Sequence, residues 1–359
     1  MKNIFILAAA AALVLSSCSN DEIVKAPETQ DDGAVVFGAY AGRNTRAAIT
    51  NVADLATAGG FGVYAYEQGT VIWNTYSASN SVPNFMYNQQ VKGSTGTNGG
   101  YEWTYAPVKY YSNIPGAYHS FFAYAPYSKD VKTVFALGKA PAIRFSAGET
   151  TDLMYADATI DKGKATINGK VVFNFKHGLS QVAFDVAPFV DKVHQEGGPQ
   201  TNHPIENPLA DNTTITLRSI KFIGRVPSQG LMSLKDGSWT VESMEEGAYQ
   251  IIPSTVISLD KSTTDYVPVA SGLMVIPTQS TDKVKIQVIY DVVTVDPNDA
   301  RNNSTVTNVI TSDSEYPLVA GTSYLFHLDL GLTSVKFEAT VADWTAPEEH
   351  WADLPNNQQ

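Results

Sequence analysis

Apolar and polar residues alternate with period two along most of the chain, the pattern of half-buried β-strands. In DKVKIQVIYD (282–291), Val284, Ile286, Val288 and Tyr290 fall on one side and Lys283, Lys285 and Gln287 on the other. In SYLFHLDLGL (323–332), Tyr324, Phe326, Leu328 and Leu330 alternate with Leu325, His327 and Asp329. TITLRSIKFIG (214–224) keeps Ile215 and Leu217 in phase and then slips to Ile220 and Phe222, which predicts a bulge near Arg218 and Ser219. No stretch sustains a 3.6-residue period, so no long helix is expected. The runs KGSTGTNGG (92–100), KDGS (235–238) and DPND (296–299) read as turns, the first as a hairpin loop. Many short strands with dense turns predict an all-β protein built of sandwiches or barrels.

The same alternation appears near each end. Val35, Phe37 and Ala39 alternate with Val36, Gly38 and Tyr40, predicting a strand over 34–40 that buries Val35 and Phe37. Val335, Phe337, Ala339 and Val341 alternate with Lys336, Glu338 and Thr340. Beyond Trp344 the chain is acidic and Pro-interrupted, a poor strand. YEWTYAPVKYYSNIPGAYHSFFAYAPY (101–127) is dense in aromatics. It reads as core strands with apolar residues on two faces, with a glycan-stacking platform as the alternative.

The chain has 359 residues, enough for two domains, with 43% hydrophobic residues to fill their cores. The formal net charge of −12 excludes the basic footprint of a nucleic-acid binder. The single cysteine, Cys18, excludes a disulfide framework. It follows Lys2, an apolar run from Ile4 to Leu15 too short to span a bilayer, and the small residues Ser16 and Ser17. That arrangement resembles a bacterial lipobox, which implies a signal peptide over 1–17, acylation of Cys18 and anchoring in the outer membrane. Residues 18–33, polar and acidic, read as a tether. A domain boundary is expected near 165, in DKGKATINGK, with one domain over 34–165 and the other over 166–359; a boundary nearer 185 is the alternative.

Catalytic and metal motifs are missing. The sequence has neither HExxH nor G-x-S-x-G, and the six histidines are scattered. His177 reads as a turn or strand-end residue rather than a ligand. No metal, cofactor or enzymatic activity is expected.

Taken in order, YAPVKYY, FFAYAP, DLMYA (152–156), FNFKHGLSQVAFDV (173–186), LMVIP (273–277) and AGTSYLFHLDLGL followed by VKFEATVADW resemble the fimbrillin family, the lipoprotein-derived type V pilins of Gram-negative anaerobes. The resemblance spans nearly the whole chain. It implies two tandem transthyretin-like β-sandwich domains and a place at the cell surface in a fimbrium. It also implies cutting by an Arg-specific surface protease, and partners that are other pilin subunits, of the same or another kind. Host or bacterial surface ligands are implied for adhesion. The family's cleavage position maps best onto Arg46, in NTRAA, with Arg43 as the alternative; the chain has only six arginines. Cutting there would make Val35, Val36, Phe37 and Tyr40 part of a releasable strand. Val335, Phe337, Ala339 and Val341 form the candidate donor strand, and a tip subunit that donates nothing is equally compatible. The reading from a different class is a surface glycan-binding lipoprotein that never polymerises.

Overall fold

The structure is a computed structural model that describes residues 33–41, 49, 51–96, 100–164, 170–189, 209–278 and 281–343. The strands, in chain order, are β1 (Phe37–Ala41), β2 (Phe61–Gly69), β3 (Met86–Thr95), β4 (Tyr101–Thr104), β5 (Tyr118–Ala125), β6 (Thr133–Val134), β7 (Ala142–Ser146), β8 (Met154–Lys162) and β9 (Val171–His177). They continue as β10 (Ser180–Pro188), β11 (Thr213–Gly224), β12 (Pro227–Ser233), β13 (Trp239–Met244), β14 (Gln250–Ile251), β15 (Ile257–Leu259) and β16 (Val267–Val275). The last four are β17 (Val284–Thr294), β18 (Ser304–Thr311), β19 (Thr322–Leu330) and β20 (Val335–Asp343). The chain is all-β, as its alternation predicts.

A seven-stranded sheet in the order β1-β9-β8-β5-β2-β3-β4 organises the N-terminal half. One face carries a core of Phe61, Val63, Phe121, Ala123, Met154, Phe173 and Phe175. Tyr64, Tyr66, Phe122 and Tyr124 point the other way, onto Phe145 and Met232 of a second sheet, β13-β12-β7-β6, and onto Leu234 just after β12. Strands β2 and β5 are therefore covered on both faces, which explains their nearly unbroken apolar sequence. Two further sheets, β16-β10-β19-β20 and β14-β11-β17-β18, enclose the C-terminal core, where Phe184, Phe222 and Phe326 meet.

The β11–β17 pairing shifts register between Leu217 and Ser219, where the change of phase in the sequence predicts a bulge. Gly96 N–H bonds to Gly100 C=O between β3 and β4, closing the expected hairpin. The short helices α1 (Val52–Thr57) and α2 (Trp73–Ser77) were not expected. At five or six residues they are shorter than the windows in which a 3.6 period can be read. The signal that was available is local: the Asn51 side chain accepts from the Asp54 N–H, a helix N-cap. After α1, Gly60 sits at φ +77, and a Cβ there would collide with the Val91 carbonyl oxygen, so only glycine fits.

The expected division near residue 165 falls among 165–169, outside the described residues. Within them, β9 belongs to the N-terminal sheet and β10 to a C-terminal one, with Gly178 and Leu179 between. Strand β12 pairs antiparallel with β7, so residues 227–233 join the layer that covers the N-terminal sheet.

Candidate functional site

Strand β1 is an outer strand of its sheet, yet its inward side is core. Val35 and Phe37 are each 2% exposed and Ala39 is 7% exposed. The strand pairs parallel with β9, Phe37 opposite Val171 through Ala41 opposite Phe175. Parallel pairing of the first strand with one more than a hundred residues away leaves no local sequence signal.

The Phe37 ring lies among four others. Its centroid is 5.3 Å from Tyr105, 5.7 Å from Phe173, 6.1 Å from Phe121 and 6.2 Å from Phe61. Edge-on and stacked arrangements of this kind add about 0.5–1.5 kcal/mol per pair to the burial of the rings. Val36 and Tyr40 point to the other face, where Tyr40 is exposed.

Just upstream of β1, the chain is gripped on its second side. Val35 N–H donates to Lys109 C=O at 2.8 Å, Tyr111 N–H donates to Gly33 C=O at 2.8 Å, and the Tyr105 hydroxyl donates to Val35 C=O at 2.8 Å. Residues 105–111 follow β4, and β1 also lies against β4. The seven-stranded sheet thus curls until its two outer strands approach, and residues 33–41 close the gap. Val35, Phe37 and Ala39 were legible from alternation; Tyr105 and Phe173 were not, because both come from distant positions. Cys18, Arg43 and Arg46 lie outside the described residues.

Strand β20 pairs antiparallel with β19 along its whole length and is the outer strand of its sheet. Val335, Phe337, Ala339 and Val341 pack against the C-terminal core but remain only partly buried. On its opposite face, the Asp185 carboxylate lies 2.8 Å from His327 Nδ1, and Thr340 Oγ1 of β20 lies 3.5 Å from Nε2. The hydrogen bond to Asp185 pushes the His327 imidazole above its ordinary pKa, aided by the nearby Glu338 and Asp329 carboxylates.

The aromatic segment is core, as read from its pattern. Trp103, Tyr111, Phe121, Phe122 and Tyr124 are buried, and Tyr110 is exposed. His177 ends β9, with Nδ1 2.9 Å from the buried Asp152 carboxylate. Among the described residues no group of three or more His, Cys, Asp or Glu side chains could hold a metal ion.

These features define an all-β protein whose first strand supplies core side chains from the outermost position of its sheet. Comparison with known proteins narrows the class. The model of a fimbrillin-like family matches residues 45–344. The fimbrium subunit Fim1C of Phocaeicola vulgatus is 25% identical across 93% of this chain and 94% of its own. A crystal structure of a fimbrial protein from Bacteroides vulgatus shares the fold with a TM-score of 0.60 at 19% identity, covering 87% of this chain and 99% of that one. The chain belongs to the fimbrillin-like family, as the resemblance in its sequence implies.

Proposed function

We propose that this chain is a structural subunit of a type V pilus, with two tandem transthyretin-like sandwiches. It reaches the outer membrane as a lipoprotein acylated at Cys18. A surface protease cuts after Arg46, or after Arg43. The segment carrying Val35, Val36, Phe37 and Tyr40 then leaves, and a strand from another subunit takes its place, extending a fimbrium that mediates attachment.

One observation carries this reading. Residues 35–39, running into β1, and residues 335–339 of β20 present the same inward side chains at the same spacing: Val35, Phe37 and Ala39 in one, Val335, Phe337 and Ala339 in the other. A strand that leaves its place in one copy can therefore be replaced by a strand of matching shape from the next. The exchange has a driving force, because the donor side chains are partly buried at home and would be buried fully in the place of β1. Full burial of a Val or Phe side chain contributes about 1.5–3 kcal/mol. An uncut β1 is held at its own position at an effective concentration of about millimolar, which an incoming strand cannot match. Cutting removes that advantage. Head-to-tail repetition of one heterologous contact produces a filament.

Treatment of the purified chain with an Arg-specific protease, followed by N-terminal sequencing and electron microscopy, tests the proposal. A new N-terminus at Ala47 or Asn44 together with filaments supports it. A trimmed chain that stays monomeric would count against it and favour a glycan-binding surface protein. Fatty-acid labelling that disappears in Cys18→Ala tests the anchor.

A further inference from the structure

The slot that β1 occupies is not a bare sheet edge. Strand β9 supplies one rail, opposite residues 37–41. Residues 105–111 supply the other, opposite residues 33–35. Backbone groups on an open sheet edge accept almost any extended chain. The second rail adds a side-chain contact. Tyr105 places its hydroxyl 2.8 Å from the Val35 carbonyl oxygen and its ring against Phe37, two residues further on. The same hydroxyl receives the Lys109 N–H at 3.2 Å, which fixes its orientation. Burial pushes the Tyr105 phenol above its ordinary pKa, so it stays a proton donor across the physiological range.

We propose that Tyr105 is the specificity-determining residue of this slot. It admits a strand that runs parallel to β9 and presents a backbone carbonyl two residues ahead of an inward aromatic side chain. This deepens the strand-exchange reading and rests on it. Both features must come together: a reversed strand would offer Tyr105 a carbonyl at the wrong spacing from its aromatic residue. In β20 the matching pair is the Val335 carbonyl and the Phe337 ring. The preferred occupant is therefore β20 of a second copy of this chain, bound in the direction that β1 takes now.

The test uses the full chain trimmed by an Arg-specific protease, with synthetic peptides of residues 33–41 and 335–343 as probes. Tyr105→Phe keeps the ring and removes only the hydroxyl. Both peptides should dissociate from it roughly three- to ten-fold faster than from wild type, the range expected for loss of one neutral hydrogen bond. A 335–343 peptide with alanine in place of Phe337 should bind more weakly than its parent to both proteins. Equal dissociation rates from wild type and Tyr105→Phe would overturn the assignment. Failure of the strand-exchange reading looks different: there, neither the 33–41 nor the 335–343 peptide would bind the trimmed wild type.

Discussion

The rings of Phe37 and Phe173 stack across the parallel β1–β9 pair, with centroids 5.7 Å apart and planes inclined by 23°. Phe173 sits in the body of the sheet, whereas Phe37 lies on a strand followed within a few residues by Arg43 and Arg46. A core contact thus depends on a segment that one proteolytic cut would detach.

Two phenylalanine substitutions should behave differently. Phe37→Ala removes a fully buried ring and should cost the uncut chain about 3–5 kcal/mol. Phe337→Ala removes a partly buried one and should cost roughly half as much or less. Urea unfolding of both uncut variants checks the order. The ranking reverses in assembly: protease-treated Phe337→Ala should form few or no filaments, since its donor strand lacks the residue that fills the Phe37 position. Near-equal destabilisation with unimpaired filaments in Phe337→Ala would contradict the assignment of β20 as donor.

Two histidines give stability opposite dependences on pH. The Asp185 hydrogen bond raises His327, so its protonated form favours the folded chain. That contribution is complete below the unfolded value of about 6.5 and is lost as pH rises through the elevated folded value. His119 is buried with neither ring nitrogen hydrogen-bonded, and burial lowers its pKa, partly offset by Glu67. Its protonation favours the unfolded chain, so its contribution is complete above about pH 6.5 and is lost on acidification. Urea midpoints measured from pH 5 to 9 should fall at both ends. His327→Gln should flatten the alkaline side alone, and His119→Phe the acidic side alone. An unchanged alkaline slope in His327→Gln would contradict the role given to the Asp185 pair.

Much of this architecture is legible in the sequence, and the reason is physical. β17 and β19 bury one face and leave the other half-buried, and β20 sets a partly buried face against a more exposed one, so alternation marks both their extent and their orientation. The bulge at Leu217–Ser219 is visible because a one-residue slip moves Ile220 and Phe222 into a new phase. Strand β1 shows its buried side for the same reason. Partners do not show. The pairing of β1 with β9, the approach of Tyr105 to Val35 and the pairing of β7 with β12 join positions far apart in the chain, and period-two patterning carries no information about which strand lies beside which. The two short helices escape notice because each completes little more than one turn.

The cut itself should be separable from the fold. Arg43→Ala combined with Arg46→Ala removes two charges from a Gly-, Asn- and Thr-containing segment and should change stability by no more than about 0.5 kcal/mol. The double variant should unfold at the wild-type urea midpoint, keep its N-terminal segment under protease and form no filaments. Filaments at the wild-type rate, with residues 33–41 still attached, would remove the reason for proteolysis.

Register offers the most direct measurement of the central claim, that β20 of one copy takes the place of β1 in another. Gly38 now lies opposite Val172, and the shared pattern puts Glu338 where Gly38 was. Filaments grown from protease-trimmed chain carrying Glu338→Cys and Val172→Cys should oxidise to a ladder of covalent multimers on a denaturing gel, because trimming after Arg46 also removes the native Cys18. Glu338→Cys combined with Lys176→Cys, four residues out of register, should give no ladder. Filaments that stay monomeric on the gel with the in-register pair, or that cross-link equally with both pairs, would contradict the account.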